Sequence, residues 1–193
     1  MPDGTTLAGD TVPTHSPTEY TGLSFSAGDR LTFSVTGSVS HTGGTPTLAP
    51  DGGSFFDHSG GATFGISDVR APIDSLIGVF LDDDQPDTSA APATLNFDGD
   101  LDFASLSPLV KQVFFIGDGE GAGGTQEFVV PAGATRLFLG PMDGFGWYNN
   151  TGGFEVNAAN LDDEPTSGAE VPLPAGGLLM LTGLGALAMR RRG

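Results

Sequence analysis

From Leu31 to Thr36 apolar and polar side chains alternate strictly, with Leu31, Phe33 and Val35 in one register and Thr32, Ser34 and Thr36 in the other. A period of two marks a strand with one buried face. Comparable short segments follow at 75–81 (SLIGVFL), 112–116 (QVFFI), 126–130 (QEFVV), 136–140 (RLFLG) and 153–158 (GFEVNA). Turn formers separate them: Ala27-Gly28-Asp29, Pro50-Asp51-Gly52-Gly53, Gly117-Asp118-Gly119-Glu120-Gly121 and Pro131-Ala132-Gly133. Short strands punctuated in this way predict an all-β fold over residues 20–158, a single antiparallel β-sandwich of jelly-roll type. Phe103–Val110 is the one helical candidate within this body. Residues 1–19 form a separate N-terminal segment.

The pattern changes after the last strand. Residues 159–170 form an acidic linker. Val171–Met189 then runs for nineteen residues without a charge and is followed by Arg190, Arg191 and Arg192. A helix crosses a bilayer with roughly 17–25 apolar residues, and basic residues hold its cytoplasmic end. One C-terminal transmembrane helix over 171–189 is therefore expected. Val171-Pro172-Leu173-Pro174-Ala175, then a Gly/Leu-rich helix, then the arginine cluster resembles the VPLPA variant of the PEP-CTERM sorting signal. That resemblance implies an exosortase as partner. It further implies a membrane-anchored precursor in a Gram-negative cell envelope and a surface-associated or extracellular product. Pro172 and Pro174 fix two φ angles, which keeps the motif extended as a peptidase groove requires. An exported chain opens on a basic, apolar signal peptide. MPDGTTLAGDTVPTHSPTEY contains none, so the true start is expected upstream.

Composition narrows the body further. Glycine (31) and proline (14) approach the range of disordered chains, but 14 Phe and the strand patterns argue for a packed core. All 24 acidic residues precede Val171, whereas only Arg30, Arg70, Lys111 and Arg136 of the basic ones do. Such a body repels phosphate, which argues against a nucleic-acid partner. Dense oxygen donors suit divalent cations instead. The absence of cysteine removes disulfides, thiolate metal sites and thiol catalysis together.

Several apparent motifs carry no chemistry. Gly119-x-Gly121-x-x-Gly124 precedes a strand rather than a helix and is flanked by Asp118 and Glu120, so it reads as a hairpin loop and not a phosphate cradle. Asp98-Gly99-Asp100-Leu101-Asp102 opens like a calcium loop, but Phe103 and Leu109 stand where the EF-hand needs Gly and Glu. His15, His41 and His58 lack zinc-site spacing. No nucleophile elbow is present, and no catalytic residue is assigned.

One stretch differs. In GPMDGFGWYNNTGGFEV (140–156) a carboxylate, a Gly-rich loop and two adjacent amides lie between two strands. Asp143, Asn149 and Asn150 are hard oxygen donors of the kind Ca²⁺ takes, with Trp147 and Tyr148 offering aromatic faces beside them. The same residues also read as a turn with Asx hydrogen bonds and core aromatics. Asp143 followed by Tyr148-Asn149-Asn150-Thr151-Gly152-Gly153-Phe154-Glu155-Val156 is similar to the PA-IL-like galactophilic lectins. In that family calcium bridges the protein and two sugar hydroxyls. The resemblance implies Ca²⁺ held by the side chains of Asp143, Asn149 and Asn150, by the His41 carbonyl and by a loop carbonyl near Gly146 or Trp147. It also implies sugar contacts from His58, Asp143 and Asn150, while the Trp147 ring offers a flat face on which a sugar would stack. Here the Asp143-to-Asn149 spacing is one residue shorter than in the lectins, the Pro50-to-His58 loop two longer, and residues 81–108 have no counterpart.

The expectation is an exported envelope or matrix protein whose β-sandwich binds a polysaccharide or galactoside through calcium. The alternative is a structural matrix protein in which calcium only braces a loop.

Overall fold

A computed structural model of the chain describes residues 4–7, 9–58, 62–144 and 146–163. The compact unit extends from Met1 to Asp162, and Asp163–Gly193 form a second unit. The expected transmembrane helix, Val171–Ala175 and Arg190–Arg192 lie outside the described residues. No helix among the described residues is long and apolar enough to cross a membrane.

The described body is all-β, with one short 3-10 turn at Pro86–Thr88. Two four-stranded sheets share a core. The first runs Val113–Phe115, Leu76–Leu81, Arg136–Pro141, Thr18–Glu19. The second runs Thr151–Asn160, Arg30–Ser40, Glu127–Val129, Ser105–Leu106. Phenylalanine joins them. Phe80 and Phe114 of the first sheet stack at 5.3 Å between ring centroids, Phe114 meets Phe128 of the second at 5.6 Å, and Phe128 meets Phe33 edge-on at 5.2 Å. The alternation read at residues 31–36 is realised, with Leu31, Phe33 and Val35 buried. Leu76–Leu81 does not alternate, because every one of its residues is buried. Pro17 and Ile66 border a cavity together with Val79 of this strand.

Glycine permits two of the turns. Gly119 (φ +89°) lies so close to the Phe33 carbonyl that a Cβ would overlap it, and Gly52 (φ +74°) lies against Ile73 and Ser75 in the same way. Neither position admits a side chain. The GxGxxG segment forms a hairpin, with Glu120–Gly121 paired to Gly124–Thr125.

Three features depart from the sequence reading. The N-terminal segment is woven into the body: Thr18–Glu19 pairs with Arg136–Pro141, and Thr6–Leu7 pairs with Asp10–Thr11. Phe103–Val110 is not helical. Its backbone is drawn to the sheet edge, where Ser105–Leu106 runs parallel to Glu127–Phe128, the Ala104 carbonyl accepts from the Glu127 N–H, and Gln126 Nε2 donates to the Leu101 and Phe103 carbonyls at 2.8 and 2.9 Å. The pairing is therefore not wholly antiparallel, since Leu95–Asn96 also runs parallel to Val69–Arg70. Both parallel strands belong to the 81–108 segment.

That segment is polar and is held by side chains reaching its backbone carbonyls. Lys111 Nζ donates to the carbonyls of Pro86 (3.3 Å), Ser89 (3.0 Å) and Ala90 (3.0 Å) and to the Ser89 hydroxyl. The Arg136 guanidinium donates to the Asp82 and Asp84 carbonyls, and Gln112 Nε2 to that of Ala93. The end of the last strand is tied down by Arg30, whose backbone N–H and guanidinium both bind the Asp162 carboxylate. This pairing holds the Asp162 carboxyl below its ordinary range, first through the side-chain hydrogen bonds of Arg30.

Candidate functional site

The site is assembled where four strand ends meet. In the second sheet Ser40 pairs with Thr151, which places His41 and Asn150 just beyond the last rung. In the first sheet Leu76 pairs with Pro141, and the ladder extends past it. Met142 N–H donates to the Ser75 carbonyl at 2.7 Å, and Asp74 N–H to the Met142 carbonyl at 2.8 Å. Asp74 and Asp143 therefore emerge side by side. A carboxylate bridges the two sheets: Asp74 Oδ2 lies 2.8 Å from His41 Nδ1 and accepts the His41 backbone N–H at 3.3 Å. Segments distant in sequence thus bring His41, Asp143 and Asn150 to strand ends, together with Asp74.

The loop carrying Trp147 is fixed from the N-terminal segment. Asp10, itself buried, accepts the Trp147 N–H with both carboxylate oxygens, at 2.8 and 3.0 Å. The indole Nε1–H donates to the Pro141 carbonyl at 2.9 Å. The Trp147 carbonyl accepts the Asn150 N–H at 3.1 Å, which closes the turn and leaves its second lone pair for another partner. Tyr148 is half exposed and lies over Gly9. Asn149 is exposed, with its carbonyl against Gly43, so the loop after His41 and the Asn149-Asn150 pair are neighbours.

The polar chemistry is incomplete within the protein. Both side-chain atoms of Asn150 and Oδ1 of Asp74 are buried with no hydrogen-bond partner. Leaving a buried polar atom unsatisfied costs about 1–3 kcal/mol, and more for a charge. Asp74 Oδ1 and Asn150 Oδ1 are hard oxygen donors, the chemistry that Ca²⁺ takes. No cluster of three or more His, Asp or Glu side chains arranged for a metal occurs among the described residues.

His58 stands on a neighbouring part of the site. Its Nδ1 lies 3.0 Å from Asp68 Oδ1. With Asp143 and Trp147 it borders a cavity of about 110 Å³ whose walls include Val79, Val113 and Met142. The Pro50–Gly53 turn packs behind Asp74 through Gly52. In that turn burial pushes the Asp51 carboxyl above its ordinary range, despite the Asp118 N–H it accepts at 2.9 Å.

Sequence reasoning missed Asp74, Asp68 and Asp10. Asp74 carried a weak signal, being an acidic residue two positions before a wholly apolar strand. Asp68 and Asp10 carried none, because their partners are distant or are backbone groups. Comparison of the chain with protein-family models, with curated proteins and with solved structures finds no match.

Proposed function

We propose that this chain is an exported envelope or matrix protein whose body binds carbohydrate through calcium. The observation that carries the reading is that Asp74 Oδ1 and Asn150 Oδ1 are buried without a partner at the strand ends where His41 and Asp143 also emerge. In this reading Asp143, Asn149 and Asn150 hold Ca²⁺ by side chains, and His41 and Trp147 by carbonyls. A cation held there supplies open coordination positions for the oxygens of a sugar diol. His58, with Nδ1 engaged by Asp68, presents Nε2 to the ligand, and Trp147 forms a wall. Export and exosortase processing rest on the sequence of Val171–Arg192.

The body should gain thermal stability on adding Ca²⁺. At a free concentration about 100 times the dissociation constant, linkage gives roughly 2.7 kcal/mol. Asp143→Ala should abolish most of that gain, and a melting curve unchanged across millimolar Ca²⁺ would sink the metal reading. Retention on immobilised galactosides and on the producing cell's secreted polysaccharide should be lost in chelator and in Asn149→Ala and Asn150→Ala. His58→Ala should weaken retention while leaving calcium affinity intact. Calcium-dependent stability with no retention on any glycan identifies the structural matrix protein instead.

Fused to an exported reporter, residues 165–193 should anchor it in a membrane lacking exosortase and be processed in a host that has the enzyme. A reporter that stays soluble without the enzyme removes the anchor.

A further inference from the structure

We propose that Asp74, in addition to Asp143, is a direct ligand of the cation at this junction, which makes it a two-carboxylate site with His41 as a positioning residue. The inference rests on the calcium reading above and adds a charged donor that the sequence resemblance does not supply.

The side chain of Asp74 is 1% exposed, yet only one of its oxygens is engaged. Oδ2 faces the His41 ring and backbone N–H, while Oδ1 is buried with no partner. A buried carboxylate carries a desolvation penalty of several kcal/mol unless a counter-charge or a full set of donors meets it. The four basic side chains of the body are all committed elsewhere. Arg30 binds Asp162 and Glu127, and Arg70 binds Asp57 and Asp98. Lys111 and Arg136 bind the carbonyls of residues 82–90. None of the contacts they make is to Asp74. Among the described residues, no cationic side chain other than the His41 ring meets Asp74.

Asp74 is bonded through its N–H to Met142, the residue before Asp143. Through Oδ2 it is bonded to His41, one residue past the rung that pairs Ser40 with Thr151, the neighbour of Asn150. Asn150 Oδ1 is likewise buried and unpartnered. The two oxygens are acceptors that a cation preferring oxygen would satisfy. Two carboxylates neutralise a divalent ion, and calcium affinity rises with the number of charged ligands. His41 then fixes the rotamer of Asp74 by holding Oδ2, which leaves Oδ1 to the metal.

The test uses the full-length chain. Tb³⁺ titrations are followed by luminescence sensitised through Trp147, the only tryptophan, and Ca²⁺ affinity is obtained by competition. Asp74→Asn keeps the shape and removes the charge. It should weaken Ca²⁺ by more than the ~10–100-fold that loss of an outer-shell partner produces. Its melting temperature in chelator should stay at or above that of the unsubstituted chain. Asp51→Asn, a nearby carboxylate outside the junction, should leave affinity unchanged. Unsubstituted chain that binds neither ion defeats the calcium reading itself. Calcium binding that is equal in Asp74→Asn and the unsubstituted chain overturns the assignment of Asp74 alone. If Asp74→Asn does not fold, the unsubstituted chain decides by infrared difference spectra with ¹³C-labelled aspartate. Two aspartate carboxylates shifting on Ca²⁺ addition support the proposal, and one overturns it.

Discussion

Phe128→Ala should lower the unfolding free energy by about 3–5 kcal/mol, the usual loss when a fully buried aromatic is truncated. Phe128 has no exposed surface and lies at the centre of the aromatic cluster. It meets Phe33 at 5.2 Å, Phe114 at 5.6 Å and Phe103 at 5.8 Å between ring centroids. These partners come from a neighbouring strand, the opposing sheet and the 81–108 segment, so one truncation opens a void that no single element can fill by relaxing. Edge-on and offset ring pairs contribute beyond the area they bury, which adds to the loss. Total stability of a domain is about 5–15 kcal/mol, so the variant should be close to its folding threshold. The check is the midpoint of urea unfolding followed by tryptophan fluorescence. A midpoint unchanged from that of the unsubstituted chain would show that Phe128 is not at the core.

Lys111→Met should cost about 3 kcal/mol and should loosen one region more than the rest. The ammonium is buried and its partners are three carbonyls and a hydroxyl, with no carboxylate among them. Hydrogen bonds to a charged group contribute about 1.5–3 kcal/mol, and the acceptors left behind lose their donor together. Methionine matches the length of the stem, so the change isolates the donor from the packing. Lys111 also takes a left-handed backbone (φ +68°), which any replacement inherits. Residues 82–95 should become the first site of limited proteolysis, ahead of the two main sheets. Proteolysis that begins elsewhere, with an unchanged unfolding midpoint, would show that Lys111 does not hold this segment.

The six apolar segments read from periodicity all became strands, at 30–40, 76–81, 113–115, 127–129, 136–141 and 151–160. They were legible because a strand with a buried face must alternate or be apolar throughout, and glycine and proline mark where it stops. The 81–108 segment was not legible. Its strands are two residues long, and its backbone is held by Lys111, Gln112, Gln126 and Arg136, which are local in sequence only to other elements. The helix expected at Phe103–Val110 failed for the same reason, since a sheet edge and Gln126 captured the carbonyls a helix would have used.

Sequence by itself determined the strands, the turns and the acidity of the body, because each is a property of neighbouring residues. Only the tertiary structure decided that His41, 33 residues from Asp74, shares its carboxylate, and that Asp10 holds the Trp147 loop from 137 residues away. Those contacts arise from strand register across two sheets. No local pattern encodes them, because what places Asp74 beside His41 is the closing of the core beneath them.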